Sequence, residues 1–360
     1  MSDQQRLALL SRTPLRPGDS SDAKPLPYGL DHLHEHGYLL RWSDAPHSPG
    51  GPWPVLNRVL RRGERLDAGL RGTAEAWAGW NTARHADAVL TVFEDVGMTA
   101  ARLRSLGVSP YAGRPLVLLT CWLAQDLPRM SGRDRAAVRR SVAGASGLLV
   151  YSGNQIDILH ESLDLPHLPI EAVPFGVDTD FYTPGSGERS RDIVAVGRDR
   201  SRDYRTLLDA VRDTGWSVTL VCSEYNLEGL DIPDEVSVHL DVDHATYRDL
   251  IRRAGLVVTP THAPAYPGGQ STLLEAMATG APCVMTDSPA IRDYVDDGRD
   301  AVLVPAHDAS TLRDAIDELL ADADRRAAIG MAAHHRVTTE FSYRSSWRSI
   351  GSALRTMTAG

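Results

Sequence analysis

Short apolar runs alternate with longer amphipathic segments along the N-terminal half of the chain. The runs predict strands and the segments between them predict helices. Strands are expected over residues 6–10, 38–42, 88–93, 115–121 and 147–151, and helices over residues 28–36, 74–84, 94–106 and 131–143. This alternation is typical of a parallel sheet covered by helices on both faces.

The same pattern restarts after residue 190. Strands are predicted over residues 191–196, 217–222, 236–240, 256–259, 283–286 and 301–304, with helices beginning near Asp203, Ala245, Ser271, Ala290 and Ala309. Residues 176–191 contain a Pro-Gly-Ser-Gly sequence, which predicts a linker. The pattern therefore predicts an α/β fold of two Rossmann-like, doubly wound parallel-sheet domains that face each other across a cleft. Sheets of this kind bind ligands at the carboxyl ends of their strands.

Composition narrows the class of protein. An apolar fraction of 42% with 24% charged residues is typical of a soluble globular chain. A formal net charge of -9 argues against binding to nucleic acid, which needs a basic surface. No apolar run is long enough to span a bilayer and residues 1–12 are too polar for a secretory signal, which predicts a cytoplasmic protein. Cys121, Cys222 and Cys283 lie far apart in apolar runs and are expected to be buried thiols.

Arginine supplies almost all of the positive charge, because Lys24 is the only lysine. A P-loop, a protein kinase and a pyridoxal enzyme each need a lysine in a defined context, and Lys24 stands in none of them. Any phosphate is therefore expected to be bound by arginine, helix termini and backbone amides.

The stretch 266-YPGGQSTLLEAMATGAPCVMTD-287 places a glycine turn before a helix. Gly268 and Gly269 give a turn without side-chain bulk, and Ser271 and Thr272 are suitable N-caps for a helix over residues 273–279. The free amides and the positive end of the helix dipole attract anions, phosphate above all. The same sequence would also serve as an ordinary way to begin a helix, so this stretch alone leaves both interpretations open.

Several stretches, in order, resemble the GT-B glycosyltransferases of the family-4 type (glycosyl transferases group 1), which use nucleotide-activated sugars and retain anomeric configuration. They are 173-VPFGVDTDFYTP-184, 193-IVAVGRDRSRDYRTLLDAV-211, 254-AGLVVTP-260, 268-GGQSTLLEAMATGAPCVMTD-287 and 290-AIRDYVDDGRDAVLVPAHDASTLRDAI-316, which together cover most of residues 145–320. The N-terminal domain resembles the family only in the order of its elements. The resemblance implies an acceptor-side domain over residues 1–178, a donor domain over residues 179–339 and a terminal helix over residues 340–360 that packs back on the first domain.

The resemblance assigns two arginines to the donor diphosphate. Arg198 falls on the arginine of the family's Gly-Arg motif, directly after Gly197. The family's usual lysine a turn later is replaced by Asp203, and Arg202 beside it is the expected substitute, because a guanidinium can bridge two phosphates. A surface arginine at a helix start is the competing interpretation of Arg202.

The rest of the donor site departs from the family at one position. Glu275 falls on the second glutamate of the family's paired-glutamate motif, which implies that it binds the ribose hydroxyls. The first glutamate of the motif is replaced by Pro267, so the donor sugar either lacks the usual hydroxyl pair or is bound by Gln270. The resemblance therefore implies that residues 268–272 form a cradle for the diphosphate sugar, with Val242 expected at the nucleobase.

The expected chemistry needs no cofactor besides the nucleotide-diphosphate sugar as co-substrate. Negative charge on the leaving group can be stabilised by Arg198, Arg202 and the helix amides, so a metal-independent transfer is predicted. Two Asp-x-Asp strings, at residues 178–180 and 241–243, invite a metal-dependent alternative, but neither follows an isolated apolar strand with further acids, which favours structural roles.

The acceptor side is less well defined by the sequence. Ser20, Lys24 and Tyr28 lie in or after a loop that follows the first strand and are candidates for acceptor binding, with a solvated loop as the alternative. Trp122 and Asp126 follow the predicted strand 115–121. Asp126 is the candidate acceptor-side base, while Trp122 can equally be a core residue.

The sequence therefore predicts a bacterial glycosyltransferase with a nucleotide-sugar donor and a small-molecule, lipid or glycan acceptor. An epimerase or hydrolase of sugar nucleotides on the same fold, and a non-catalytic sugar-nucleotide-binding protein, remain as alternatives. The arginine-rich stretch 129–140 suggests contact with an anionic membrane. Its apolar face contains only alanine and valine, however, and this favours a helix exposed to solvent.

Overall fold

The structure is a computed structural model that describes residues 4–11, 27–42, 67–190, 192–240 and 242–359. The chain divides into two compact units: unit 1 comprises Met1–Val173 and Trp347–Gly360, and unit 2 comprises Pro174–Ser346. The predicted divisions followed residues 178 and 339. Residues 176–191, predicted as a linker, lie inside unit 2.

Unit 1 is built on a six-stranded parallel sheet. Its strands are β1 (Gln5–Leu10), β2 (Tyr38–Trp42), β3 (Ala88–Val92), β4 (Leu116–Thr120), β5 (Gly147–Val150) and β6 (Ile170–Ala172), in the order β2-β1-β3-β4-β5-β6. Strands β3, β4 and β5 are buried at every residue, as expected for central strands covered on both faces.

The helices of unit 1 differ from the predicted ones at two places. The segment predicted as a helix over residues 28–36 is a 3₁₀ helix, Pro27–His36, and the segment predicted over residues 74–84 breaks at Gly79. The α-helices are α1 (Thr73–Ala78), α2 (Trp80–Ala83), α3 (Glu94–Ser105), α4 (Leu123–Asp126), α5 (Gly132–Val142) and α6 (Asn154–Leu163), with 3₁₀ turns at Ala68–Leu70 and Leu127–Arg129. A Cβ at residue 79 would lie 2.3 Å from Leu10 Cδ2, so glycine lets the helical segment pass close to β1.

Unit 2 carries a second six-stranded parallel sheet. Its strands are β7 (Ile193–Val196), β8 (Val218–Val221), β9 (Val236–His239), β10 (Leu256–Thr259), β11 (Cys283–Thr286) and β12 (Val302–Val304), in the order β12-β11-β10-β7-β8-β9. The helices are α7 (Tyr204–Val211), α8 (His244–Arg253), α9 (Gln270–Ala278), α10 (Ala309–Ala321) and α11 (Ala323–Glu340), with 3₁₀ turns at Glu224–Leu227 and Ile291–Asp293. The helix predicted to begin near Ala290 is therefore only the second of these turns. The last helix, α12 (Tyr343–Thr358), begins in unit 2.

Two hydrophobic clusters cover the two faces of this second sheet. Because successive strand residues point to opposite faces, Val194 and Val257 pack into one cluster, which includes α9 and α11. Ile193 and Leu256 pack into the other cluster, which includes α7 and α10. The apolar side chains thus pack on the two faces of the sheet, and polar residues can occupy the carboxyl ends of the strands.

The last helix, α12, contributes its residues from Trp347 onward to unit 1. There Tyr38 donates a hydrogen bond to the Gly351 carbonyl at 3.5 Å, and Arg355 donates to the His36 carbonyl at 3.3 Å. All three cysteines are buried free thiols, as predicted. Among the described residues there is no helix with the length and apolar content needed to cross a membrane.

Candidate functional site

Arg202 occupies a narrow slot between two glycines of unit 2. Gly197 follows β7, and a Cβ on it would lie 1.8 Å from Arg202 Nε. Gly269 precedes α9, and a Cβ on it would lie 2.3 Å from Arg202 Nη1. Any other residue at either position would displace the guanidinium, so the two glycines fix where the charge lies. Arg202 is only 8% exposed as a result.

The guanidinium in this slot has hydrogen-bonding capacity left over. Its Nη2 donates to Thr272 Oγ1 at 3.1 Å. Its Nε and Nη1 are buried and have no hydrogen-bond partner among the residues that the structure describes. Buried cations with unused donors are costly unless an anion satisfies them. The slot is therefore suited to a multiply charged oxyanion.

The N-terminus of α9 lies beside the same guanidinium. Gly269 is the N-cap in a left-handed conformation with φ of 90°, and the helix begins at Gln270, earlier than predicted. Ser271 and Thr272 lie in the first turn, so the prediction that they cap the helix is wrong: a glycine that adopts positive φ lets the helix start before them. In the described part of the chain no acceptor is assigned to the amides of Ser271 and Thr272, and such amides attract anions.

The segment before Arg202 is held in place by a half-buried carboxylate. Asp199 Oδ1 accepts from the Ser201 amide at 2.8 Å and from the Tyr266 hydroxyl at 2.6 Å. Burial alone would raise the pKa of Asp199, but these hydrogen bonds and the charge of Arg202 outweigh it and lower the pKa. Arg202 also pairs with Thr261 in an isolated antiparallel bridge. The Arg202 backbone is thereby fixed before any ligand arrives.

Glu275 lies one turn after Thr272, on the same side of α9. Its Oε2 accepts a short hydrogen bond from the Tyr247 hydroxyl. Burial raises the pKa of Glu275 to about 7, although Tyr247, Tyr182 and the charge of Arg202 partly offset this rise. The sequence identified Glu275 but not the two tyrosines, which lie in distant segments and have no local signature. The carboxyl can therefore exist in either protonation state near neutral pH.

The remaining predicted donor residues lie at other points of unit 2. Arg198 is exposed, and its Nη2 donates to the Leu240 carbonyl at 3.3 Å, near the end of β9. Val242 is partly buried close by. Gln270 and Ser271 are half-buried in the first turn of α9, and Gly268 packs against Ser201, with a virtual Cβ 2.5 Å from Ser201 Oγ. Of the predicted donor residues, 197, 268–272 and 275 thus lie around Arg202.

The two Asp-x-Asp strings stabilise local turns where they are described. Asp243 caps α8 and accepts from the amides of Ala245 and Thr246 at 2.9 and 2.8 Å. Asp178 accepts from the amides of Asp180 and Phe181 at 3.0 and 2.9 Å. Asp241 lies outside the described residues.

The candidate acceptor residues of unit 1 are only partly described. Ser20 and Lys24 lie outside the described residues, and so does the side chain of Tyr28, whose backbone belongs to the 3₁₀ helix Pro27–His36. Trp122 immediately precedes α4, and its ring packs against Phe93 with centroids 5.2 Å apart. Asp126 is half-buried and ends α4. Its role as a base stays a prediction.

Glu94 is a polar residue of unit 1 that the sequence did not single out. It is 5% exposed, and its carboxylate accepts from the Trp122 amide at 2.6 Å and from the Cys121 amide at 3.3 Å. Burial raises its pKa, and the backbone hydrogen bonds partly oppose that rise. Phe93 beside it has φ of 70° and ψ of 151°, a conformation that is nearly restricted to glycine. The sequence signal that could have identified Glu94 is its position directly after the predicted strand 88–93.

Part of unit 2 is similar to a known family. Residues 190–322 match the family model described as "Glycosyl transferases group 1". The D-inositol 3-phosphate glycosyltransferase of Corynebacterium jeikeium is 28% identical over 265 residues, covering 64% of this chain and 61% of that protein. The protein of the same name from Xylanimonas cellulosilytica is 27% identical over 342 residues, covering 80% and 76%. The chain thus matches less than two thirds of the length of the first of these relatives.

Solved structures establish the fold. Sucrose-phosphate synthase from Thermosynechococcus elongatus superposes with a TM-score of 0.74 at 18% identity and covers 99% of both chains. HepE of Anabaena in complex with UDP-glucose superposes with a TM-score of 0.68 at 16% identity and covers 98% of this chain and 100% of that one. The predicted GT-B fold is therefore confirmed.

Proposed function

Because residues 190–322 belong to the glycosyl transferases group 1 family, we propose that the chain is a glycosyltransferase that transfers a sugar from a nucleotide-diphosphate donor. The observation that carries the proposal is the buried guanidinium of Arg202, whose Nε and Nη1 have no hydrogen-bond partner among the described residues and lie beside the first turn of α9. A diphosphate offers the oxygens and the charge that this arrangement lacks.

The proposed reaction breaks the bond between the anomeric carbon and the diphosphate oxygen as the acceptor hydroxyl oxygen bonds to that carbon. Negative charge then grows on the diphosphate, where Arg202 and the amides of Ser271 and Thr272 stabilise it. The acceptor proton leaves to the departing diphosphate or to a carboxylate, for which Asp126 is the candidate. Retention of configuration and a transfer step without metal are part of this proposal and rest on the family resemblance.

The other candidate residues would each contact a different part of the donor: its ribose, its base, its diphosphate or its sugar. Glu275 would accept hydrogen bonds from the ribose hydroxyls, and Tyr247 orients its carboxylate for that role. Val242 would lie at the base and Arg198 at the outer side of the diphosphate. Gln270, in the first turn of α9, would contact the sugar in place of the acid that Pro267 replaces.

Names of similar proteins suggest which substrates to try first. The relatives named above act, by their names, on D-inositol 3-phosphate, and the HepE structure contains UDP-glucose. We therefore propose a UDP-activated sugar as the donor and a phosphorylated polyol as the first acceptor class to test.

Calorimetry with UDP, GDP, dTDP and ADP in EDTA tests the donor site directly. We expect saturable binding of one diphosphate and a roughly 10- to 100-fold loss in Arg202→Met, since a hydrogen bond to a charged group contributes about 1.5–3 kcal/mol. Methionine keeps an extended side chain without charge, so folding should be retained. Arg205→Met, at an exposed arginine of α7, is the matched control and should bind normally. Failure of the folded wild type to bind any nucleotide, or equal binding by Arg202→Met, would refute the site.

Pro267 also keeps a second candidate function open, a sugar-nucleotide-binding protein without turnover, because the acid expected at that position is absent. Release of free nucleotide diphosphate from a bound donor, measured with and without D-inositol 3-phosphate and other phosphorylated polyols, separates the alternatives. Acceptor-dependent release identifies a transferase, and release without acceptor identifies a hydrolase. A donor that binds tightly and stays intact with every acceptor identifies the binding protein.

A further inference from the structure

Three side chains of unit 2 converge at the carboxyl end of its sheet and have no part in the proposed transfer. Asp203 is the N-cap of α7, His262 follows β10, and His307 precedes α10. One potential ligand atom from each residue lies within 4.8 Å of the other two. Helices α7 and α10 pack against each other on one face of the sheet, which is why residues so distant in sequence meet here.

The distances in this cluster fit a tetrahedral transition-metal ion. His307 Nδ1 lies 2.9 Å from Asp203 Oδ2, and His262 Nδ1 lies 3.5 Å from the same oxygen. Zinc with bonds of about 2.0–2.1 Å holds its tetrahedral ligand atoms roughly 3.3 Å apart, a value that these two distances bracket. Nδ1 of both rings therefore lies close to one carboxylate oxygen, at separations that one ion could bridge.

The carboxylate of this cluster is already oriented. Asp203 is buried, and Thr206 donates to it twice, from its hydroxyl to Oδ2 at 2.6 Å and from its amide to Oδ1 at 3.1 Å. Such outer hydrogen bonds hold metal ligands in the geometry that binding needs. The side chains of His262 and His307 are 49% and 61% exposed, so an ion can reach them from solvent.

The two imidazole rings are also arranged as a pair. They stack with centroids 5.1 Å apart and an angle of 23° between their planes. His307 has φ of 60°, in the left-handed region that favours glycine. The chain thus places a histidine where glycine would fit with less strain, and the strained residue is the one whose nitrogen is closest to Asp203.

We propose that Asp203, His262 and His307 bind one divalent transition-metal ion of the zinc class, with water in the fourth position. Two imidazole nitrogens select Zn²⁺, Ni²⁺ or Co²⁺ over Mg²⁺ and Ca²⁺, which prefer oxygen ligands. The ion joins the residue after Arg202 to the loops that follow β10 and β12. It stabilises the segment that carries Arg202 and takes no part in the chemistry of transfer, so it does not conflict with a metal-independent reaction.

Titration of ZnCl₂ into tag-free, metal-stripped protein in a non-chelating buffer tests the site without any sugar nucleotide. We expect one equivalent of Zn²⁺ to bind and to raise the thermal midpoint, while MgCl₂ at the same concentration has no effect. Co²⁺ should bind with the ligand-field absorption of a tetrahedral site. Because loss of a merely supporting residue weakens metal sites 10- to 100-fold, loss of a ligand in His307→Gly should weaken binding by roughly 100-fold or more.

His307→Gly is the most informative variant because glycine adopts the backbone conformation of residue 307 without strain. Its metal-free thermal midpoint should stay close to that of the wild type, which separates loss of a ligand from loss of folding. His262→Ala should lose binding in the same way, and His239→Ala, at an exposed histidine of β9, should keep it.

Two results would overturn the proposal. One is the absence of saturable Zn²⁺ binding by the wild type, which would leave the cluster as hydrogen bonds from histidines to Asp203. The other is full Zn²⁺ binding by both His307→Gly and His262→Ala, which would place the ion elsewhere. Nucleotide binding is measured in EDTA, so neither result changes the test of the donor site.

Discussion

Replacement of Glu275 by glutamine should change how the stability of unit 2 depends on pH. Burial raises the pKa of this carboxyl to about 7 from its ordinary 4.5. The folded state therefore holds the proton more tightly than the unfolded state. The stability that Glu275 contributes is fully present below pH 4.5 and is lost as the pH rises through 7. The full difference in pKa corresponds to about 3 kcal/mol.

Glutamine cannot ionise, so Glu275→Gln keeps the stability that the wild type loses as the pH rises. Relative to the wild type, the variant should gain about 2–3 kcal/mol between pH 5 and pH 8. For a domain of this size, the gain is a relative rise of roughly 5–10 °C in the thermal midpoint. Tyr247 can still donate to the glutamine oxygen, so folding should be retained.

Scanning calorimetry of both proteins at pH 5, 6, 7 and 8 measures this difference, and all other titrating groups cancel between them. Glu228→Gln, at an exposed glutamate of unit 2, is the control and should follow the wild type at every pH. Parallel pH profiles for the wild type and Glu275→Gln would show that Glu275 ionises normally. The account of a buried, tyrosine-bonded carboxyl would then be incorrect.

Two further substitutions test the packing around the candidate residues. Gly269→Ala should destabilise unit 2 by at least about 2 kcal/mol, because residue 269 has φ of 90° and a Cβ there would lie 2.7 Å from Thr259 Cγ2. It should also abolish nucleotide binding, because the same Cβ would lie 2.3 Å from Arg202 Nη1 and displace the guanidinium. Gly298→Ala has a similar φ and open space around it, so it should cost only about 1 kcal/mol by urea denaturation. Glu94→Gln should destabilise unit 1 by about 1–3 kcal/mol at pH 5, because a glutamine amide cannot accept from both the Cys121 and the Trp122 amides. Since burial raises the pKa of Glu94, the difference from the wild type should shrink as the pH rises. An unchanged urea midpoint for Glu94→Gln would contradict the assigned hydrogen bonds.

Most strands were predictable from the sequence because a buried parallel strand is apolar at successive positions. Strand β6 was missed, because it has only three residues, none of them buried. Strand β4 was expected over residues 115–121 and runs from Leu116 to Thr120. Helices were less predictable. The helix α11 (Ala323–Glu340) was not foreseen, since only Ile329, Gly330, Ala333 and Val337 are buried and these mostly small side chains give a weak apolar stripe. The start of α9 was missed because it depends on the left-handed φ of Gly269.

The site was predictable only where a motif carries it. Arg202 and Glu275 could be named because they stand in stretches that resemble a family. The hydrogen bond from Tyr247 to Glu275, and the meeting of His307 with Asp203, arise from how α8, α9, α7 and α10 pack on the sheet. Periodicity along the chain holds no information on such contacts between distant segments.

The unused hydrogen-bond donors of the buried Arg202 have a practical consequence for how the protein is handled. Among the described residues no salt bridge includes this guanidinium, and its Nε and Nη1 have no hydrogen-bond partner, although its charge lowers the pKa values of Asp199 and Glu275. Inorganic phosphate, pyrophosphate and sulfate are the oxyanions that we expect Arg202 and the first amides of α9 to bind from solution. Purification or assay in phosphate buffer would therefore present a competitor at millimolar concentration. If Arg202 binds oxyanions, the affinity for nucleotides should rise when phosphate buffer is exchanged for a buffer without oxyanions.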